Sequence, residues 1–248
     1  MGRPVILVLR NDQRFSSVFR ENGYEVINLE IVVTQKIDDL DELAISIGPV
    51  DRYDGFFFTS PVAAEGFVRI LEHTGSRPGG KLYVLGERTK RVFEGAGFEV
   101  ITRRRANTAS EFIESFDNSE FEGKRFLFVR GDQSMRTIPE QLGNIATIDE
   151  VVVYRSVEKP PGADVVAELR DRFRRGGIDW ICVFSPSGID GFTKYFTSAD
   201  FARAKFAVIG ETTAGWLRES GIAVAFVSQR ASANDFAEGL INHIKSFE

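Results

Sequence analysis

Several positions in this chain combine residue types that bind anions with a place just past an apolar run. They are Arg10, Ser60, Gly86-Glu87-Arg88-Thr89, Arg103-Arg104-Arg105, Arg130-Gly131, Ser185-Pro186-Ser187-Gly188, Gly210-Glu211-Thr212-Thr213 and Gln229-Arg230. Ser, Thr and Gly open helices and leave backbone N–H groups free beside the positive end of the helix. Such a place suits a carboxylate or a phosphate. In open parallel sheets, ligands bind just beyond the carboxyl ends of the strands. Taken singly, each Ser or Thr reads as a helix cap. As a set they point to an anionic ligand. The three consecutive arginines read equally as a solvated loop or as part of such a site.

Other chemistries find little support. One cysteine, Cys182, and two histidines leave no disulfide framework and no Cys/His zinc set. Cys182 falls within an apolar strand and reads as a small core residue. His73 and His243 fall on helical patterns without triad partners. The stretch Gly75 to Lys81 fits most of a phosphate loop, but Leu82 stands where a Mg²⁺-holding Ser or Thr is required, and the stretch leads into a strand. Gly95-Ala96-Gly97 closes a helix and is no dinucleotide fingerprint. No G-x-S-x-G nucleophile elbow is present.

The elements that must position the candidate residues are short. Strands are expected at Val5–Leu9, Gly55–Thr59, Lys81–Leu85, Glu99–Thr102, Arg125–Val129, Ile181–Phe184, Phe206–Ile209 and Val224–Val227. Most precede a helical pattern, such as Phe67, Ile70 and Leu71 on one face. Gly23, Gly97, Gly143 and Gly221 fall where helix C-terminal caps belong. Strand and helix alternate, which predicts an α/β protein with parallel sheets covered on both faces. Tyr24–Val33 and Ile148–Val157 interrupt this rhythm and read as extended connections or long strands. Lys159-Pro160-Pro161-Gly162 is a stiff turn and a boundary marker.

The chain has 248 residues, 43% hydrophobic and 27% charged, with a formal net charge of −5. That length suits one large or two small globular domains. An acidic chain without a long basic block is a poor nucleic-acid or membrane-surface binder. Its apolar runs are too short to span a bilayer or to serve as a signal peptide. Gly2 lacks the Ser or Thr context of myristoylation. A cytoplasmic, reducing location is expected.

Four blocks recur at nearly constant spacing. DGFFFTSPVAAEGF from Asp54 matches DWICVFSPSGIDGF from Asp179. KLYVLGERTKRVFEGAGFEV from Lys81 matches KFAVIGETTAGWLRESGIAV from Lys205. TASEFIE from Thr108 matches SANDFAE from Ser232, and ILVLRNDQ from Ile6 matches FLFVRGDQ from Phe126. Similar turn chemistry explains one such match but not four. The chain reads as two copies of one α/β unit.

With these blocks in view, the chain resembles the uroporphyrinogen-III synthase family over nearly its whole length. The likeness rests on FTSPVAAEG from Phe58, VVVYRSV from Val151, FSPSGIDGF from Phe184 and FAVIGETTAGWLRESGIAV from Phe206. Arg10-Asn11 departs from the Arg-Pro usual there, and Asn28-Leu29-Glu30 lacks the family's proline. The resemblance implies two flavodoxin-like parallel-sheet domains with a cleft between them. One would combine residues 1–23 and 158–248. The other would span 36–148, with 24–35 and 149–157 as connecting strands.

It also implies an activity: closure of hydroxymethylbilane, with inversion of ring D through a spiro intermediate, to uroporphyrinogen III and water. No cofactor and no metal are implied. Tyr154 in VVVYRSV matches the family's candidate tyrosine, as general acid for the departing hydroxyl or as a structural residue of a linker strand. A substrate with eight carboxylates on an acidic protein must be held by local donors. A hydrogen bond to a charged group contributes roughly 1.5–3 kcal/mol, so several reach the ~−8 kcal/mol of a micromolar complex. The expected donors are Arg10, Ser60, Thr89, Arg130, Ser185, Ser187, Gly188, Thr212 and Thr213. A monomer is implied, with transient contact to the bilane-forming enzyme and no nucleic-acid or membrane partner. A non-catalytic two-domain module binding an anion or tetrapyrrole is the alternative, and another cofactor-free enzyme acting on a polycarboxylate is a second.

Overall fold

The structure is a computed structural model that describes residues 4–230 and 232–246. Gly2 and the ends of the first expected domain, 1–3 and 247–248, lie outside the described residues. The chain begins with β1 (Val5–Val8), α1 (Gln13–Glu21), β2 (Glu25–Asn28), β3 (Val32–Lys36) and α2 (Leu40–Ile47). Then come β4 (Gly55–Phe58), α3 (Pro61–Thr74), β5 (Lys81–Val84), α4 (Glu87–Gly95), α5 (Ala109–Glu114), β6 (Arg125–Gly131) and α6 (Thr137–Leu142). It continues through β7 (Thr147–Glu158), α7 (Ala163–Arg174), β8 (Trp180–Val183), α8 (Pro186–Thr193), β9 (Lys205–Val208), α9 (Glu211–Glu219), β10 (Val224–Val227) and α10 (Ala233–Lys245). Two compact units result: Met1–Val33 with Val157–Glu248, and Thr34–Ser156.

In the first unit the sheet order is β10-β9-β8-β1-β2, with parallel pairing throughout among the described residues. Alternation along β1 divides its side chains between two cores. Val5 and Leu7 join Ile181, Phe192 and Leu217 on one face. Ile6 and Val8 join Phe15, Phe236 and Leu240 on the other. A strand buried on both faces must be apolar throughout, which is why β1 and β8 read as unbroken runs.

The second unit repeats the plan with the chain cut elsewhere. Its sheet order is β3-β7-β6-β4-β5. Phe56 and Phe58 of β4 pack with Phe67, Phe93 and Val151. Phe57, between them, faces Tyr83, Phe121 and Phe126. The repeated blocks therefore occupy matching places: β6 corresponds to β1, β4 to β8 and β5 to β9. The shared aspartates explain part of the match. Asp179 Oδ2 accepts the Val5 N–H at 2.7 Å, and Asp54 Oδ2 accepts the Arg125 N–H at 2.8 Å. Each carboxylate thus ties down the start of the neighbouring strand.

Helix ends follow the expected chemistry in most places. Ser60 and Ser185 cap α3 and α8, each with proline at the first helical position. Gly23, Gly97 and Gly221 take φ of 87°, 78° and 73° just past helix ends. Gly143 differs: it keeps φ −62°, so the short α6 closes without a left-handed residue.

One expectation needs correction. Glu99–Thr102 is not a regular strand; only Ile101 pairs, with Tyr83. Its N–H donates to the Leu82 carbonyl at 2.7 Å and its carbonyl accepts from Val84 at 2.8 Å. This segment is the partly exposed edge of its sheet, where irregular pairing is common. Tyr24–Val33 carries β2 and the start of β3. Leu29 and Ile31 are buried between β2 and β3, which belong to different sheets. Ile148–Val157, by contrast, lies within the single twelve-residue strand β7.

Candidate active site

In the first unit the strand order reverses between β1 and β8, the place where such sheets bind ligands. The residues following those two strands meet there. The Arg10 guanidinium lies 4.0 Å from the centre of the Phe184 ring and pairs with Asp12. Asp12 caps α1 by accepting the Phe15 N–H at 3.0 Å. Ser185 Oγ accepts the Gly188 N–H at 3.2 Å and lies 3.1 Å from Ser187 Oγ. Thr212 and Thr213 sit in the first turn of α9; Thr212 is exposed and Thr213 is buried.

The second unit has the same reversal between β6 and β4. Ser60 Oγ accepts the Ala63 N–H at 3.1 Å. Thr89, the counterpart of Thr213, is also buried, at 2% exposure. The threonine at this matching position is therefore buried in both units. Arg130 is turned toward its own unit. Its Nε lies 2.7 Å from Glu150 Oε2, without an aligned hydrogen bond. Its Nη1 donates to the carbonyls of Gly131, Asp132 and Ser134 at 3.1–3.3 Å. Arg136 holds the other Glu150 oxygen at 2.6 Å. The Arg130 side chain is 15% exposed, so its charge is spent largely on pinning a turn.

Tyr154 lies on β7 opposite Gly131, partly buried against the core of this unit. The hydroxyls of Tyr53, Tyr83 and Tyr195 donate to Ile47 O, Glu120 and Glu158. Among the described residues the Tyr154 hydroxyl has no hydrogen-bond partner, which leaves its O–H available to a ligand.

The remaining sites are less promising. Arg103, Arg104 and Arg105 form an exposed turn in which Arg103 stacks 4.0 Å over Phe116. His73 is exposed and meets Asp41 at 2.7 Å. His243 packs on the Trp180 and Phe226 rings. Burial pushes the Cys182 thiol up, far from thiolate reactivity. No cluster of three or more His, Cys, Asp or Glu residues suited to a metal occurs among the described residues. No helix among them is long and apolar enough to cross a membrane.

Sequence reasoning named Gly131 only as a residue past a strand, and missed Asp132, Ser134 and Glu150, which build the turn beside Tyr154 with it. A signal was present: the repeat changes from RNDQ after β1 to RGDQ after β6.

Each of the two α/β units is built on a mainly parallel sheet and carries helix N-termini and hydroxyls just past its strand ends. Residues 13–238 match the family model described as uroporphyrinogen-III synthase HemD. The chain belongs to the uroporphyrinogen-III synthase family, a family of enzymes. It is 26% identical over 247 residues to the uroporphyrinogen-III synthase of Chlorobaculum parvum, covering 97% of this chain and 99% of that one. Its fold matches a mutant uroporphyrinogen III synthase of Thermus thermophilus, with TM-score 0.71 and 14% identity over 98% and 99% of the two chains. It also matches the uroporphyrinogen-III synthetase of Helicobacter pylori, with TM-score 0.63 and 16% identity over 98% and 100%.

Proposed function

We propose that this chain closes hydroxymethylbilane to uroporphyrinogen III with inversion of ring D, and that Tyr154 is its general acid. Family membership supports the reaction. The observation that carries the residue is that the Tyr154 hydroxyl has no hydrogen-bond partner among the described residues, set against the engaged hydroxyls of Tyr53, Tyr83 and Tyr195.

Hydroxide leaves poorly, so the first step needs a proton. The Tyr154 phenol gives its proton to the terminal hydroxyl, the carbon–oxygen bond breaks, and water departs. The electrophilic azafulvene is attacked by the substituted carbon of ring D, giving a spiro centre. That centre reopens and closes the other way. The proton lost as the last pyrrole regains aromaticity returns to the phenolate, so the enzyme ends as it began. The substrate's carboxylates are held by N–H and hydroxyl donors past the strand ends, with Ser60, Ser185, Ser187 and Thr212 the exposed or half-exposed members. Arg10, held over Phe184, adds a cation.

The test supplies fresh hydroxymethylbilane and separates the oxidised products by isomer. Type III product well above the no-protein control is expected, with turnover falling roughly 10²–10⁴-fold in Tyr154→Phe. Because no protein hydrogen bond is lost, the variant should melt within about 0.5 kcal/mol of wild type. Type I product alone from folded protein would overturn the activity. Unchanged turnover in Tyr154→Phe would remove the tyrosine from it.

A further inference from the structure

We propose that Gly131 is a positioning residue for Tyr154, and that the turn Gly131–Ser134 is the platform holding that phenol in place. This rests on the reading of Tyr154 given above and extends it to the residues that seat its ring.

The geometry comes first. A Cβ built on Gly131 would stand 2.3 Å from both Cε2 and Cζ of Tyr154 and 2.7 Å from its hydroxyl oxygen. The reactive end of the ring therefore lies directly over the bare Cα of Gly131. No other residue type leaves that space. Glycine is not required here for its backbone, since Gly131 is absent from the positive-φ glycines. The space itself is what the ring uses.

The strand is shaped to bring the ring there. Arg130 pairs with Val152, but Gly131 pairs with Tyr154, so β7 carries one extra residue at this point. Bulges of this kind re-aim side chains. Here Val153 and Tyr154, consecutive in sequence, both pack toward the same core cluster, which regular alternation forbids. The platform below is fixed on every side. Gly131 N–H donates to Ser134 Oγ at 3.1 Å, and Ser134 N–H donates back to the Gly131 carbonyl at 3.1 Å. Asp132 N–H donates to the Tyr154 carbonyl at 3.1 Å, and Asp132 Oδ1 accepts the Ser156 N–H at 2.9 Å. Tyr154 is thus clasped from the residue itself and from two positions beyond. Arg130 Nη1 closes the turn through three carbonyls.

The internal duplication supplies a control. In the first unit the corresponding stretch reads Arg10-Asn11-Asp12-Gln13, with Asn11 in place of Gly131. There the aspartate caps α1 instead of clasping a strand. The glycine and the clasp occur together, in the copy that carries the tyrosine.

The experiment compares Gly131→Ala, Tyr154→Phe and the double variant in the bilane assay, alongside NMR of ring-labelled tyrosine. A 1 Å misplacement of a reacting group can cost on the order of 10²-fold. Gly131→Ala should therefore lower kcat by at least about 10-fold with KM changed less than about threefold. It should shift the Tyr154 ring signals, and it should add little further loss in the Tyr154→Phe background. Asp132→Ala, which loosens the clasp without adding an atom, should give the same pattern more weakly and serves if Gly131→Ala does not fold. Equal losses in both backgrounds, or wild-type kcat in Gly131→Ala, would overturn the positioning role. Should Tyr154→Phe itself keep full turnover, the catalytic reading fails. The platform is then judged by the ring signals alone: unmoved signals in Gly131→Ala overturn it, shifted signals support it.

Discussion

Gly66→Ala is the substitution whose outcome the packing determines most directly. Gly66 lies in α3, where it presses on β7. A Cβ there would stand 2.9 Å from Val153 Cγ2 and 3.1 Å from Val153 Cβ. Carbon atoms prefer about 3.5–4.0 Å, so the helix or Val153 must yield by several tenths of an ångström or more. Overpacking of this kind costs roughly 1–3 kcal/mol. Alanine returns about 1 kcal/mol through helix propensity. The net loss is then about 0–2 kcal/mol, or a fall in melting temperature of up to roughly 8 °C for a unit of this size. The sharper reading comes from a double-mutant cycle in urea melts. Val153→Ala alone loses two buried methyls, but it also removes Cγ2, the nearest atom that the methyl added by Gly66→Ala would strike. The double variant should therefore be more stable than the sum of the singles by about 1–3 kcal/mol. Additivity within about 0.5 kcal/mol, or a Gly66→Ala protein stabilised by its full helix propensity, would refute the close approach. A Cβ on Gly191, its counterpart in α8, would stand 2.8 Å from Ile31 Cγ2, and Gly191→Ala should behave alike.

Two further outcomes follow from groups outside the candidate site. Burial and the Glu120 carboxylate, which accepts its hydroxyl at 2.5 Å, hold the Tyr83 phenol above its ordinary pKa. A folded pKa above the unfolded one means stability intact below about pH 10 and lost as pH rises past it, so wild-type melts should fall more steeply above about pH 10 than those of Tyr83→Phe; parallel curves would contradict this. Asp54→Ala and Asp179→Ala each strand a backbone N–H at a strand start and should each lower stability by about 1–3 kcal/mol, read as a lower urea midpoint at unchanged slope, with a loss under about 0.5 kcal/mol counting against the shared role.

What could be read from the chain was whatever repeats or alternates. Ser60-Pro61 and Ser185-Pro186 announce two helix starts because capping needs only local chemistry. The runs at Val5 and Gly55 announce central strands because burial on both faces permits nothing but apolar residues. Glu99–Thr102 misled because its β-prone residues lie at an edge, where tertiary pairing decides how much of a segment joins the sheet. At the candidate site the same division holds. Tyr154 was reached through family resemblance, and the anion-binding set through position after strands. What Arg130 does depends on Glu150 and on three carbonyls, and no spacing rule predicts a long side chain folding back on its own turn. Thr89 and Thr213 show the same limit: a hydroxyl in a first helical turn reads alike whether it faces solvent or sheet.

The pairing of β1 with β8 has a consequence for how the chain is made. Those strands join residues 174 positions apart, whereas the second unit is one continuous segment, Thr34–Ser156. On the ribosome that segment is complete before β8 exists. At about 5–20 residues per second, the first unit waits on the order of ten seconds for its remaining strands. Through that interval Val5–Val8 and the apolar side of α1 are exposed without the partners that later bury them. A nascent chain halted after Ser156 is therefore a finished second unit trailing an adhesive N-terminal fragment, the form in which this protein most needs a chaperone.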